Sequence, residues 1–273
     1  MKKLYHHSAD KKQIKQPKKT TMKNFNNYLF RCSALGKLMT DPRSKSETLS
    51  ETTKTYLNEI FLQEIYQRKK DISNKYMEKG LMCEEDSLSL YSEMNNTFTI
   101  KNKDKFSNDF IIGTPDILGK NNVDDIKTSW NLFTFFDAEV TKDYDWQLEG
   151  YSILTGKEEK RLVYVLVNSP ANLITDEKRR LGWQLNDLEG TSELFIEKAQ
   201  QIERNMIFDL AEFKKENPFF EMHTPDADWN FDIEKSKRIK IFNVEKKTEE
   251  ERNKLINRIT ESRNYLNLLL ENN

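Results

Sequence analysis

Asp125 and Lys127 stand two residues apart in Val123-Asp124-Asp125-Ile126-Lys127, a run that reads as a β-strand. Residues i and i+2 of a strand share a face, so this carboxylate and this ammonium point one way while Ile126 packs the other way. Upstream, Phe110-Ile111-Ile112-Gly113-Thr114-Pro115-Asp116-Ile117-Leu118 reads as a second strand, and Gly119-Lys120-Asn121-Asn122 is a turn by composition. Folding that turn sets Leu118 opposite Val123, and hence Asp116 opposite Asp125 and Thr114 opposite Lys127. Cross-strand partners hold their β-carbons roughly 4.5–5.5 Å apart, and like charges so placed destabilise a sheet. A divalent cation removes the conflict. Two acidic ligands holding Mg²⁺ suit phosphodiester cleavage, because the cation neutralises charge developing at phosphorus and activates water. A neighbouring lysine can orient or deprotonate that water, or stabilise the oxyanion. Asp-x-Lys alone is a common salt-bridged strand edge; the Pro-Asp on the partner strand sets this one apart.

The rest of the composition narrows the ligands. Cys32 and Cys83 are the only cysteines, too few for a four-thiolate zinc or iron–sulfur site. The three histidines are His6, His7 and His223, which leaves little for a histidine-rich site or a His-based triad. A metal here would be held by carboxylates, and oxygen ligands favour Mg²⁺ or Mn²⁺. With 36% hydrophobic and 33% charged residues and a mean hydropathy of -0.83, the chain has a core and a heavily solvated surface. No apolar run approaches the roughly 18–20 residues that cross a bilayer. The lysine-rich start lacks the apolar centre of a signal peptide, so a cytoplasmic location is expected. The net charge of -1 is unevenly spread: residues 1–24 hold eight lysines against Asp10, which leaves -8 on the rest. Such an arm is a solvated tail by default, and in the sharper reading it grips a phosphate backbone in a salt-dependent way.

The elements that would position these residues form one α/β domain over 25–273. Ser33 is placed to cap a short helix through Leu35 and Leu38, and Asp41-Pro42 ends it. Ser50 to Leu90 has helical periodicity, and Phe98 to Lys101 looks extended. Tyr144 to Leu154 reads as a helix stopped near Gly156. Arg161 to Val167 is apolar enough for a buried central strand. A long helix over Thr191 to Lys215 follows, then a late strand, Ile239 to Val244. Thr248-Glu249-Glu250-Glu251 is a capping box opening a final amphipathic helix. Among the aromatic residues after Lys127, Trp130, Phe133, Phe135 and Phe136 read as core, with one of them a candidate for exposure near a nucleic acid. Lys178-Arg179-Arg180 reads as a solvated turn, with a backbone clamp as the lesser alternative.

Gly113-Thr114-Pro115-Asp116 followed by Asp125-Ile126-Lys127 resembles the PD-(D/E)XK motif of nucleases. Further segments resemble the phage lambda exonuclease and YqaJ-like viral recombinase group. Gly80-Leu81-Met82-Cys83-Glu84 is similar to its G-x-x-x-E helix, with Ser87 where a small alanine is common. Gln147-Leu148-Glu149-Gly150-Tyr151 is similar to its Q-x-Q-type helix, with Glu149 where a second glutamine is usual. Ser33-Ala34-Leu35 and Pro42-Arg43-Ser44 resemble the segment that shapes a 5′-phosphate pocket. The resemblance spans about Phe30 to Pro170 and leaves the second half uncovered.

What it implies is a restriction-endonuclease-like α/β core, a central mixed β-sheet with a catalytic hairpin flanked by α-helices. Lys127, Glu84 and Gln147 would be catalytic. Asp116, Asp125 and the Ile126 backbone carbonyl would hold Mg²⁺ or Mn²⁺, and Ser33, Arg43 and Thr114 would contact phosphate. The implied activity is 5′ to 3′ digestion of DNA duplex ends in phage-type recombination, beside a single-strand annealing protein and in a homo-oligomer. Two alternatives stay open at this level: an endonuclease of repair or restriction type on the same scaffold, and a catalytically idle DNA-binding module.

Overall fold

The structure is a computed structural model and describes residues 24–70 and 74–273. The basic segment therefore lies, apart from Asn24, outside the described residues. A two-residue strand β1 (Phe30–Arg31) leads into a 3-10 turn (Cys32–Ala34) and a one-turn helix α1 (Leu35–Leu38). Helices α2 (Glu51–Tyr66), α3 (Lys75–Met82) and α4 (Glu84–Met94) follow. Ser50 caps α2 by accepting from the Thr53 N–H, and Asn74 caps α3 by accepting from Tyr76 and Met77. Next come β2 (Phe106–Ser107), β3 (Ile111–Gly113), β4 (Ile117–Leu118) and β5 (Asn122–Thr128). Helices α5 (Leu132–Phe136) and α6 (Lys142–Thr155) lead to β6 (Glu159–Val165). The remainder is α7 (Ala171–Leu185), α8 (Glu193–Met206), α9 (Leu210–Glu216), β7 (Ile239–Val244) and α10 (Glu249–Asn272).

The principal sheet runs β4-β5-β6-β7. Its central pair, β5 and β6, is parallel and joined through α6, while β4 and β7 run antiparallel to their neighbours. It is a mixed sheet among helices, the α/β core that the sequence implied. A second small sheet, β1-β3-β2, is placed beside it. Helix α6 packs against both: Trp146, Leu148 and Tyr151 are buried in a cluster with Leu35, Ile111, Val123 and Leu162. The approach is close. A β-carbon on Gly113 would stand 2.7 Å from the Tyr151 ring and 2.8 Å from the Cys32 sulfur, and one on Gly150 would be 2.8 Å from the same sulfur. Both glycines let α6 lie against β3 and the Cys32 turn.

Several expectations are corrected. Residues 110–118 are not one strand: β3 belongs to the small sheet and β4 to the large one, with Thr114-Pro115-Asp116 between them. Pro115 has no N–H to give to a ladder, so the pairing breaks there. Ser33 lies inside the 3-10 turn and caps nothing, since the N-cap of α1 is Ala34, which makes no side-chain cap. The helix expected over Thr191 to Lys215 is two helices, parted at Ile207-Phe208-Asp209, where Asp209 caps α9. Lys178-Arg179-Arg180 is not a turn but part of α7. Lys178 is buried on Glu203 at 2.6 Å, and the two arginines pair with Asp176 and Glu177 one turn back. The capping box of the last helix is formed by Thr248 and Glu251 as expected.

Candidate active site

The β4–β5 register is the one the turn predicts: Leu118 pairs with Val123 and Ile117 with Asp124, antiparallel. Extending that ladder by one residue brings Asp116 level with Asp125. Asp116 leaves the ladder there, and its side chain takes the place of a strand: Oδ2 accepts the Ile126 N–H at 2.8 Å. In a strand a residue's carbonyl points the same way as its N–H. The Ile126 carbonyl therefore faces the Asp116 side, where β4 has ended.

Asp125 is 2% exposed and sits at the centre of the site. Gln147, on α6, donates to its Oδ1 at 2.8 Å and to the Tyr151 hydroxyl at 3.0 Å. Lys127 Nζ lies 2.7 Å from Oδ2. That oxygen is nonetheless fully buried with no hydrogen bond of acceptable geometry. The Lys127 ammonium also lies 4.7 Å from the centre of the Tyr144 ring. Thr141 caps α6 and Gly156, at φ 69°, ends it, so Tyr144, Gln147 and Tyr151 recur on one helical face above the strand.

The electrostatics follow from this crowding. Burial, with Asp125 beside it, pushes the Asp116 carboxyl up to about 7, against the pull of the Ile126 N–H and Lys127. Lys127 is held above the usual ammonium range: burial opposes its charge, and Asp125 outweighs it. The site is thus a pair of carboxylates with more negative charge than the protein alone neutralises.

These groups line a cleft of about 630 Å³. Its walls include Glu84 and Gly80 from the α3–α4 corner, Lys101, Trp130, Thr134 and Tyr164. Glu84 is ion-paired with Lys101 and adds its repulsion to Asp116. Ser87, one turn along α4, is fully buried and shares a 2.8 Å hydrogen bond with Thr128 at the end of β5. It anchors the Glu84 helix to β5.

The cleft thus brings together Asp116, Asp125, Ile126, Lys127, Glu84 and Gln147. The three residues implied for phosphate contact are elsewhere. Thr114 is exposed in the break between β3 and β4 and not opposite Lys127, because the ladder stops at Ile117. Ser33 is exposed in a separate depression with Arg31, Lys37 and Tyr56, and Arg43 is exposed outside the cleft wall. The cleft also takes in Tyr144, Tyr151, Tyr164 and Lys101, none of them a site residue implied by the sequence. Tyr144 and Tyr151 were findable, standing three before and four after Gln147 on a helix. Tyr164 and Lys101 come from distant pairing that leaves no local signal.

The donor set fits a hard divalent cation. The candidate donors are all oxygen: the Asp116 and Asp125 carboxylates, and the Ile126 carbonyl on the Asp116 side of β5, with Asp125 Oδ2 buried against the Lys127 ammonium. Among the described residues no group of three or more His, Cys, Asp or Glu side chains is spaced to hold a metal.

No family profile matches the chain, and no curated protein matches it. Solved structures do. A phage-related exonuclease from Haemophilus somnus 129PT superposes with a TM-score of 0.66 over 90% of this chain and 96% of its own, at 22% identity. The two share a fold. An alkaline exonuclease from Laribacter hongkongensis gives a TM-score of 0.43 at 16% identity, covering 65% of this chain and 96% of its own. The same enzyme in complex with dAMP gives 0.40 at 18% identity, covering 64% and 94%. Among the described residues no helix is long and apolar enough to cross a membrane.

Proposed function

We propose that this protein is a metal-dependent DNA exonuclease that hydrolyses phosphodiester bonds at duplex ends, 5′ to 3′, in phage-type recombination in the cytoplasm. The observation that carries the reading is the apposition of Asp116 and Asp125 beside Lys127 in one cleft, within a fold shared with a phage-related exonuclease. The PD-(D/E)XK-like motif supports the activity, and the wider resemblance supports the polarity, a homo-oligomer and an annealing-protein partner.

Asp116, Asp125 and the Ile126 carbonyl would hold Mg²⁺ or Mn²⁺, which supplies neutralisation of the charge developing on the phosphate. Lys127 is protonated at neutral pH while paired with Asp125. In that pairing it is suited to donate, to a phosphate oxygen or to the attacking water. Gln147 on Oδ1 and Lys127 on Oδ2 together orient the Asp125 carboxylate that would take the metal. Glu84, at the cleft wall, is placed to accept a proton or orient water once Lys101 is drawn to phosphate.

The deciding assay is digestion of linear duplex labelled at either the 5′ or the 3′ end, with Mg²⁺, Mn²⁺ or EDTA, beside a nicked circle. Metal-dependent release of 5′ label from linear ends alone is expected. Cleavage of closed or nicked circles would make it an endonuclease, and binding without cleavage an idle DNA-binding module. Thermal unfolding adds a readout free of activity. Mn²⁺ should raise the wild-type Tm by about 5–10 °C at ~100 times its dissociation constant, and Asp125→Asn should lose most of that rise.

A further inference from the structure

The aromatic run after Lys127 is split by the fold: Trp130 and Phe135 are buried, whereas Phe133 and Phe136 are exposed on α5. The ring that stands over the Lys127 ammonium is none of these but Tyr144, in the first turn of α6, its centre 4.7 Å from Nζ. An aromatic ring is negative on its faces, so it attracts a cation there without a hydrogen bond. The Tyr144 ring is itself held from behind. Its N–H donates to the hydroxyl of the capping Thr141 at 3.4 Å. Tyr164 meets it edge to face at 6.3 Å, and Phe242 meets Tyr164 likewise at 6.0 Å. The Tyr164 hydroxyl donates to the Glu139 carbonyl at 3.0 Å. Tyr164 is also the β6 partner of Lys127 in the parallel register, so both side chains leave the same face of the sheet. Three rings, from β7, β6 and α6, thus end on one ammonium.

This arrangement answers a problem that Asp125 alone leaves open. Asp125 Oδ2 is 2.7 Å from Nζ, and the same carboxylate is a candidate ligand for the cation. Once it is shared with a divalent cation its pull on Lys127 weakens, and the cation repels the ammonium directly. An ammonium on a flexible four-carbon stem with no other anchor swings away. The Tyr144 face still attracts it, and a ring face offers a hard cation no oxygen to take. Because the contact is made by the face, phenylalanine would serve as well as tyrosine. Leucine would fill similar space and attract nothing.

We propose that Tyr144 is a positioning residue for Lys127: its ring face keeps the ammonium at the cleavage centre when Asp125 is shared with a divalent cation. This rests on the nuclease reading above and adds to it a residue that acts through Lys127, with Tyr164 and Phe242 as its support.

The test uses the full chain: wild type, Tyr144→Phe, Tyr144→Leu, Lys127→Ala and the Tyr144→Leu/Lys127→Ala double variant. Digestion of a 5′-labelled linear duplex with Mn²⁺ gives kcat and KM. Tyr144→Leu should lower kcat about 3- to 30-fold, the range that cation–π contacts span, with KM unchanged, and Tyr144→Phe should restore it. Added to Lys127→Ala, the leucine should bring no further loss, since its whole effect runs through the lysine. Unchanged kcat in Tyr144→Leu, or a full second loss in the double variant, would overturn the proposal. A rise in KM alone would also overturn it, by making the ring a DNA contact. Proton NMR of Lys127 gives a readout without DNA. Its ε-methylene protons, identified by their loss in Lys127→Ala, should lie upfield of the ordinary lysine position through the Tyr144 ring current, in EDTA and in Mg²⁺ alike. An ordinary position in Mg²⁺ would mean that the ring releases the ammonium, and the proposal fails whether or not the leucine variant folds. A wild type that cleaves no DNA would defeat the nuclease reading instead, and the NMR arm would still decide whether the ring holds Lys127.

Discussion

Asp125 is asked to serve Gln147, Lys127 and, across the ladder, Asp116, and two predictions follow from how its charge is shared. Lys127→Ala should cut cleavage at least tenfold while leaving affinity for a duplex end nearly unchanged, the scale of loss usual for a positioned proton-transfer or oxyanion group. Single-turnover digestion beside binding in EDTA separates the two, and residual cleavage above about a tenth of wild type would remove Lys127 from the chemistry. Asp116 bears on stability. An unfolded aspartate titrates near ~3.9, whereas burial and Asp125 raise this one to about 7. Between those values the folded protein holds a proton that the unfolded chain releases, so stability falls as pH rises through the window, opposite to the usual salt-bridged aspartate. In EDTA the wild-type Tm should drop relative to Asp116→Asn from about pH 4 to pH 7. A difference that stays flat over that range would mean the carboxyl titrates normally.

At the scale of elements, what the sequence disclosed was what local pattern controls. Strand β5 was readable because Val123, Ile126 and the turn before it fix both period and register. Helix α6 was readable from its apolar spacing and from Gly156. Helix α5 is only five residues long, too short for periodicity, and β2 is two. Pro115 was visible, but its effect, sending β3 to another sheet, depends on β1 some eighty residues earlier. Glu149 shows the same limit. By resemblance it stands at a second active-site glutamine, yet it turns away from the cleft. It is fully buried, 2.5 Å from the equally buried Lys160 and 2.6 Å from Arg252, tying α6 to β6 and α10. Glu149→Ala would leave Lys160 charged and unpaired in the core, a change that costs about 3–5 kcal/mol. The Tm should fall by roughly 6–20 °C, while folded protein at low temperature cleaves DNA as the wild type does. A cleavage defect without the Tm loss would return Glu149 to the catalytic machinery.

For the molecule as a whole, the problem is how an acidic body admits a polyanion. Residues 25–273 carry a net -8, and the cleft centres on Asp116, Asp125 and Glu84. A divalent cation offsets only part of that locally, and Lys101, Lys127 and Lys240 are each engaged with protein groups in the absence of DNA. The eight lysines of residues 1–24 are the largest block of positive charge in the sequence. Each lysine that neutralises a phosphate releases counterion, steepening the fall of log affinity with log salt by about 0.9 on duplex DNA. If half of them engage, deleting residues 1–24 should reduce the slope by about 3–4 and weaken binding most at low salt. The hydrolytic step should be untouched, since every group placed at the cleavage centre lies beyond Asn24. Titrating a labelled duplex with full-length and truncated protein from 50 to 300 mM salt would measure this. Equal slopes would mean that the arm is only a solvated extension and that the body itself, with its metal, overcomes the repulsion.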